Sequence, residues 1–552
     1  MHALTAPLSE LAEIEEICEE RGREPGMLLL SGCVTSQKTH LMYALGKGYG
    51  HTLIVLSSED KAKKLYEEYR FLNENTSYYP AKDLLFYQAD IHGKQLVKQR
   101  METLQMMMEA KSQVTVITTI DGFMDELPSE AEIKGDILTI SNGEALEFES
   151  LKEKIIKLGY DREAQVDGPG QFAVRGGIID IYPLTEELPI RIEFWGDEVD
   201  SIRTFDVDSQ RSVENLEQIV IYPADDRLGS DRKVSFINYF DPKDTLVFLD
   251  EPARLLEKGR LAENEVEKAR ENRAEEMERT GEMEEAPEFF TTDEIIKFLN
   301  KFCMIGMCAL EMKCKPFFVK KRFGIQAKSV NPYNSSFEML TQDLKRLKRN
   351  GYRAVLISGS RTRAKRLAED LRDYDLSSFY SEDQEREVNP GEIMVCYGHI
   401  EVGYEYPMIK FIVISESDIF GKTKKKKKRK SYDGQKISSF SDLKPGDYVV
   451  HENHGLGIYR GIEKIEVDKV TKDYMKISYA DGGNLYILAT QLDQIQKYAS
   501  ADAKKPKLNK LGGQEWHRTK SKVKTAVWQI AKDLVELYAV RQSKEGFVYE
   551  KD

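Results

Sequence analysis

GPGQFAVRGGIIDIYPLTEELPIRIEFWGDEVDSIRTFDVDSQRSV, residues 168–213, is the stretch on which the reading of this chain turns. Ile178, Ile179, Ile181, Ile190, Ile192 and Phe194 supply apolar, mostly β-branched positions, and Glu186-Glu187-Leu188-Pro189 separates two such runs. The pattern predicts a series of short strands with turns between them. Arg175 and Arg191 stand within the runs, and Phe194-Trp195 follows the second arginine. Two readings are open. The arginines pair with Glu193, Asp197 or Glu198 on a half-buried sheet, or they join Trp195 in a protein-binding face, where a bidentate cation and a large rigid apolar surface concentrate binding energy.

At 552 residues the chain has room for about three to five domains, each with its own core. Charged residues make up 32% and the formal net charge is −13, as expected of a soluble protein. That acidity argues against sequence-independent DNA binding by the whole surface, although a local basic patch is compatible with it. The six cysteines include no CxxC pair, which fits reduced thiols in a cytoplasm. Three of them, Cys303, Cys308 and Cys314, lie in the apolar run KFCMIGMCALEMKC, and neither a histidine nor a fourth cysteine stands at zinc-site spacing, so they read as core. No signal peptide opens the chain and no run of 18 apolar residues occurs, so no membrane partner is expected and the location expected is cytoplasmic.

Ahead of the strand-rich stretch, residues 9–20 read as a helix capped by Ser9. The apolar runs 27–31, 52–57 and 114–119 alternate with helices, one of them from Ser58 to about residue 73. Continuous short apolar runs between helices predict buried parallel strands, hence an α/β sheet. The first turn, Gly32-Cys33-Val34-Thr35-Ser36-Gln37-Lys38-Thr39, follows the phosphate-loop pattern except that Gln37 replaces the second glycine. Lys38 and Thr39 suit phosphate and magnesium, and Val247 to Glu251 resembles a Walker B strand whose Asp250 would hold the metal. A glutamine side chain should nevertheless obstruct the approach of a phosphate to backbone amides, so a structural role for this turn is the preferred reading and an ATPase the alternative. No cofactor is therefore expected in this chain. The α/β pattern returns near 219–222, which makes the strand-rich domain an insertion. Residues 255–288, with charges of both signs at three- and four-residue spacing, predict an exposed helix.

A third unit alternates helix 339–351, strand 354–358, helix 362–374 and strands 393–398 and 411–415, a small α/β domain without a catalytic constellation. Lys424 to Lys430 form a basic block, read as a solvated linker rather than a nucleic-acid contact. Residues 443–498 hold short β-rich runs with turn signals at Pro445-Gly446, His454-Gly455 and Asp481-Gly482, which predict a small bent barrel. His451 and His454 lack companions at metal-ligand spacing. In the last segment Val523, Ala526, Val527, Ile530, Leu534, Leu537 and Tyr538 make an amphipathic helical stripe that calls for a partner.

FAVRGGIIDIYP, RIEFWGDEVDSIR and FDVDSQRS, in that order, resemble the UvrA-binding domain shared by the excision-repair protein UvrB and the transcription-repair coupling factors; FDVDSQRS points to the latter. GDYVVHENHGLGIY resembles the RNA polymerase-interacting domain that coupling factors share with CarD-type regulators. The resemblance covers nearly the whole chain and implies about the first half of a coupling factor. It implies a multidomain α/β and β architecture. A UvrB-like helicase lobe that has lost its nucleotide site (1–126 and 219–332) carries the inserted UvrA-binding domain (127–218). A small α/β domain (333–421), a basic linker (422–441), a Tudor-like barrel (442–500), a second linker (501–513) and a relay helix (514–552) follow.

The same resemblance assigns UvrA contacts to Arg175, Arg191, Phe194 and Trp195. It assigns contacts with the polymerase β subunit to Lys464, Ile465 and Glu466, through a strand edge. Gly32, Lys38, Thr39, Asp250 and Glu251 become a degenerate nucleotide site. The implied role is an adaptor that grips RNA polymerase stalled at damaged DNA and recruits UvrA. ATP, magnesium and most contact with double-stranded DNA would belong to translocase lobes outside this sequence. The competing readings are a UvrB-like ATPase and a regulator acting only through the barrel. A damage-probing DNA binder fits less well, because no aromatic-rich hairpin interrupts the first lobe.

Overall fold

A computed structural model describes residues 2–22, 24–82, 94–207, 209–225, 233–280, 288–383, 386–421, 435–436, 443–451, 454–467, 470–480, 482–488, 495–498 and 506–510, with isolated positions at 515, 516, 519 and 522. The chain divides into two compact units, one formed by residues 1–87 and 94–427, the other by 88–93 and 428–552.

The first unit is built on a seven-stranded, all-parallel sheet. Its order is Val319–Gly324, Gly26–Ser31, Cys303–Cys308, Thr245–Asp250, His51–Leu56, Val114–Thr119 and Thr76–Tyr78. Strands such as Val114–Thr119, buried at every position, need both faces covered, which is why their sequences are continuously apolar or β-branched rather than alternating. Helices Thr35–Gly46 and Glu59–Tyr69 follow the first two strands in sequence. The opening helix is shorter than expected. Ser9 does not cap it but lies in the 3-10 turn Ala6–Glu10, where its hydroxyl donates to the Ala6 carbonyl, and the α-helix runs Ala12–Glu20. The charged helix Pro252–Thr280 is also not wholly exposed: Leu255 and Leu256 in its first turns and Val266 near its middle are buried.

Between strands Val114–Thr119 and Thr245–Asp250 the chain leaves this sheet and returns, so the strand-rich domain is an insertion. Two short antiparallel pairs frame it, Leu127–Pro128 with Lys233–Val234 and Leu138–Ser141 with Gln218–Ile221. The inserted sheet has six strands in the order Ser212–Leu216, Glu198–Phe205, Ile190–Trp195, Ile178–Tyr182, Gln171–Arg175, Asp161–Arg162. Ile190 pairs with Ile181 and Ile192 with Ile179, and this isoleucine face packs beneath Leu151 and Ile155 of helix Phe148–Lys157. The opposite face is polar. Alternation along the strands, apolar inward and charged outward, is what sets the register.

A second α/β sheet completes the unit, in the order Lys328–Ser329, Tyr404–Tyr406, Phe411–Ser415, Arg353–Ser358, Ile393–Tyr397, Ser378–Tyr380. Its last four strands are parallel and the first two antiparallel. Helix Phe337–Arg349 is capped by Ser336, whose hydroxyl accepts from the Met339 N–H. The two α/β sheets share one core. Leu28, Leu30 and Ile54 of the first belong to the same buried cluster as Val355, Tyr404, Tyr406 and Phe411 of the second. His40 is fully enclosed there, its Nε2 2.7 Å from the Leu4 carbonyl, its Nδ1 3.1 Å from the Tyr406 hydroxyl and its ring stacked on Tyr404. Burial lowers its pKa from 6.5 to about 4, so at neutral pH the ring is uncharged, and with Nε2 donating to the carbonyl, Nδ1 accepts from the tyrosine.

The second unit holds a six-stranded antiparallel sheet, in the order Gln435–Lys436, Ile495–Lys497, Tyr448–His451, Gly455–Val467, Val470–Ser478, Asn484–Leu488. Val449, Tyr459, Met475, Ile477 and Tyr479 form its core. Residues after the sheet fold back onto it: Asn509 accepts from the Leu456 N–H through its side chain (2.8 Å), and its backbone pairs with Leu456 and Ala480. The basic block 424–430 lies outside the described residues, as does the proposed relay helix 514–552 apart from the isolated positions 515, 516, 519 and 522.

Candidate protein-binding face and degenerate phosphate loop

Two tight hairpins place Arg175, Phe194 and Trp195 at one end of the inserted sheet, with Arg191 farther along its strand. Arg175 pairs with Ile178 across the two-residue turn Gly176-Gly177, and Trp195 pairs with Glu198 across Gly196-Asp197. Gly176 and Gly196 adopt φ of +60° and +66°, the left-handed region that two-residue hairpins demand and glycine supplies at least strain. The turns are neighbours, because the Phe194 N–H donates to the Gly177 carbonyl at 2.9 Å.

On the polar face the arginines do not pair with Glu193, Asp197 or Glu198. They converge on Asp180, a carboxylate only 1% exposed. Arg191 donates to it in bidentate fashion, Nε to Oδ1 at 2.6 Å and Nη2 to Oδ2 at 2.9 Å; Nη2 also reaches Gln210 Oε1 at 3.2 Å, and the guanidinium lies over the Phe205 ring. Hydrogen bonding to Asp180 raises the Arg191 pKa above its ordinary value. Arg175 donates to Asp180 through Nη2. Glu193 is instead taken by Arg203 and Ser201. Phe194 turns inward and meets Phe148 edge-on, whereas Trp195 is 83% exposed. The four residues therefore divide: Arg191 and Phe194 are built into the domain, and Arg175 and Trp195 face outward. Asp180 and Gln210 were missed in the sequence. The signal for the first was present, since one acid among the isoleucines of GIIDIYP occupies the outward parity of its strand.

The phosphate-loop sequence does form a strand-to-helix turn, with Lys38 and Thr39 in the first turns of helix Thr35–Gly46. The amides of its first three residues, however, are engaged by the protein itself. The Gly32 N–H donates to the Ala309 carbonyl (3.3 Å) and the Cys33 N–H to the Cys308 carbonyl (3.1 Å). The Val34 N–H donates to Oε1 of Gln37 (3.0 Å), whose fully buried side chain folds back into the loop. Lys38 Nζ donates to Asp250 (2.6 Å) and Glu251 (2.7 Å). Burial opposes the charge on Lys38, but these two carboxylates outweigh it and hold its pKa above normal. Glu251 reaches this contact from a backbone φ of +52°.

The Thr39 hydroxyl donates to Glu68 Oε2 (2.8 Å) and Ser36 to Glu68 Oε1 (3.0 Å), and the same carboxylate accepts the Glu401 N–H from the second α/β sheet's domain. Burial raises the Glu68 pKa, with the hydrogen bonds from Thr39, Glu401 and Ser36 acting against it. A cleft of about 510 Å³ remains, lined by Lys38, Lys61, Lys64, Asp250, Glu251 and Arg254 among others. Gly32, at φ +83°, leaves no room for a side chain: a Cβ would sit 2.4 Å from the Ile325 carbonyl oxygen.

In the second unit Lys464, Ile465 and Glu466 pair through their backbones with Asp473, Lys472 and Thr471. The neighbouring strand Tyr448–His451 reaches only as far as Ile458, and Asn484–Leu488 only as far as Tyr474. Residues 464–467 thus lie on a two-stranded arm paired on one side only among the described residues. The His451 and His454 rings are 4.7 Å apart, and no group of three or more potential metal ligands occurs among the described residues. No helix among these residues is long and apolar enough to cross a membrane.

Comparison with known proteins agrees with this division. Residues 138–226 match the UvrB interaction domain family, and residues 443–499 match the CarD-like/TRCF RID domain family. A transcription-repair-coupling factor of Bacillus subtilis is 30% identical across 95% of this chain and 49% of its own length. Those of Staphylococcus haemolyticus and Staphylococcus epidermidis are 29% and 28% identical across 95% and 99% of the chain and 50% and 51% of their own lengths. The chain spans about half the length of the curated relatives it matches. With one family match on the inserted sheet and the other on the sheet of the second unit, this chain resembles the N-terminal region of the transcription-repair-coupling factors.

Proposed function

We propose that this chain is a two-ended adaptor in transcription-coupled DNA repair, which binds UvrA through its inserted domain and RNA polymerase through its second unit. The observation that carries the reading is the pairing, in one chain, of an outward Arg175–Trp195 tip in the UvrB-interaction region with a one-sided strand arm in the CarD-like region. An exposed tryptophan beside a braced guanidinium is the anchor chemistry of binding hot spots. A strand edge open on one side is what β-augmentation uses, so the polymerase β subunit would add its own strand beside Lys464, Ile465 and Glu466. The second unit's strongly paired short strands are read as a barrel of the Tudor type. Double-stranded DNA contact is assigned mainly to sequence beyond these residues.

The phosphate loop is read as structural in this chain. The N–H groups of Gly32, Cys33 and Val34, the lysine and the threonine hydroxyl all have partners within the protein, so a triphosphate and magnesium would have to break charge-assisted bonds of Lys38 and Thr39 to enter. That favours an adaptor over a UvrB-like ATPase for this part of the protein.

The test is binding of the whole chain to purified UvrA and, separately, to RNA polymerase. Trp195→Ala should weaken only the UvrA complex, by at least about tenfold, and Ile465→Asp only the polymerase complex. A chain that bound neither partner, or lost both through one substitution, would refute the two-ended reading.

A further inference from the structure

We propose that Asp180 is the positioning residue of the binding face, fixing Arg175 so that its remaining donors meet a carboxylate on the partner beside an apolar socket for Trp195. This rests on the reading that the inserted domain binds UvrA, and it adds which side chain makes the contact and which chemistry receives it.

The geometry separates the two arginines. Arg191 has a side chain only 14% exposed, gives Nε and Nη2 to Asp180 and stacks over Phe205, so it serves as a brace. Arg175 is 47% exposed and bonds only through Nη2, to Asp180 and, at 3.5 Å, to Gln210. Its Nε and Nη1 have no partner among the described residues. Two guanidinium groups on one carboxylate leave one positive charge in excess, and the adjacent Arg203–Glu193 pair is neutral. That excess lies on the outward arginine, at the end of the sheet where Trp195 projects from the neighbouring turn. A guanidinium whose plane is already set loses less freedom on binding than a free surface arginine, and with Nη2 committed its Nε and Nη1 are single donors on opposite sides, carrying the excess positive charge toward an anionic acceptor: a carboxylate.

The partner surface that fits is therefore an Asp or Glu at the rim of an apolar pocket. A lysine could supply charge at position 175 but not one rigid plane that bonds Asp180 through Nη2 while aiming a separate donor at the partner. A purely electrostatic patch would accept either residue.

The experiment measures affinity of purified UvrA for the native chain and for the Asp180→Asn, Arg175→Ala, Arg175→Lys and Asp180→Asn/Arg175→Ala variants, with thermal unfolding of each. Asp180→Asn is expected to weaken binding about tenfold, and adding Arg175→Ala should lower it by no more than about twofold further, because both act through one guanidinium. Arg175→Lys, at an exposed position that cannot threaten folding, should also lose about tenfold. Native-strength binding by Arg175→Lys, or losses from Asp180→Asn and Arg175→Ala that multiply in the double variant, would overturn the proposal while leaving UvrA recognition intact. Failure of the native chain to bind UvrA would overturn both.

Discussion

Replacing Lys38 with methionine tests whether the phosphate-loop lysine has become a structural ion. Its Nζ lies 2.6 Å from Asp250 and 2.7 Å from Glu251, and all three side chains are close to nine-tenths buried. Methionine fills nearly the same space, so the perturbation is loss of charge rather than loss of packing. After the change Asp250 keeps Lys61, 3.5 Å from its second oxygen, though that lysine is largely solvated. Among the described residues, the Glu251 carboxylate keeps the Ala309 N–H at 3.0 Å and no cation within ion-pair distance. Removing one member of a buried ion pair leaves an uncompensated charge and costs about 3–5 kcal/mol. Because Glu251 is the charge left bare, adding Glu251→Gln should return about 2 kcal/mol of that loss. Urea unfolding followed by far-UV circular dichroism, with the slope checked for constancy, reads both numbers. If Lys38→Met lies within about 1 kcal/mol of the native chain, or if Glu251→Gln worsens it additively, the closed-cluster reasoning is wrong. Recovery by the second substitution would show that the lysine is held for its neighbours and not for a phosphate.

Three further outcomes follow from particular contacts. His40 has a pKa near 4 in the fold against 6.5 outside it, so the unfolded chain binds the extra proton as pH falls between these values, and stability is lost across that window. The loss attributable to His40 approaches about 3 kcal/mol by pH 4, and the native-minus-variant difference against His40→Gln, measured from pH 7 to pH 4, should show it; a pH-independent difference would remove His40 as the cause. Gly32→Ala places a Cβ against the Ile325 carbonyl at a positive φ and should cost at least about 2 kcal/mol by chemical denaturation, with an unchanged midpoint contradicting the close approach. Asn509→Ala removes the acceptor for the Leu456 N–H, so hydrogen exchange at Leu456 should speed up by an amount equivalent to about 1–2 kcal/mol, whereas native protection there would show that the fold-back segment is held by other contacts.

The chain's periodicities were enough for its classes of structure. Continuous apolar runs such as VTVITT pointed to buried parallel strands, and the apolar positions of 178–194 to the short strands of the inserted sheet, though the adjacent Ile178 and Ile179 left its inward face open. Those signals are local, since each depends on side chains one to four residues apart. The missing glycine at Gln37 was likewise legible, because the demand for it comes from the loop's own backbone.

Tertiary structure decided how the polar groups are partnered. Asp180 meets Arg191 across two strands, Glu68 gathers Ser36, Thr39 and the distant Glu401 amide, and Lys38 is answered by carboxylates more than 200 residues away. Burial strongly favours a partner for each of these groups, but sequence does not say which, because the choice rests on which strands become neighbours. That is why Arg191 and Arg175 look alike in the sequence and differ in the fold. Strand parity sent both to the polar face; only the sheet order made one a brace and left the other facing outward.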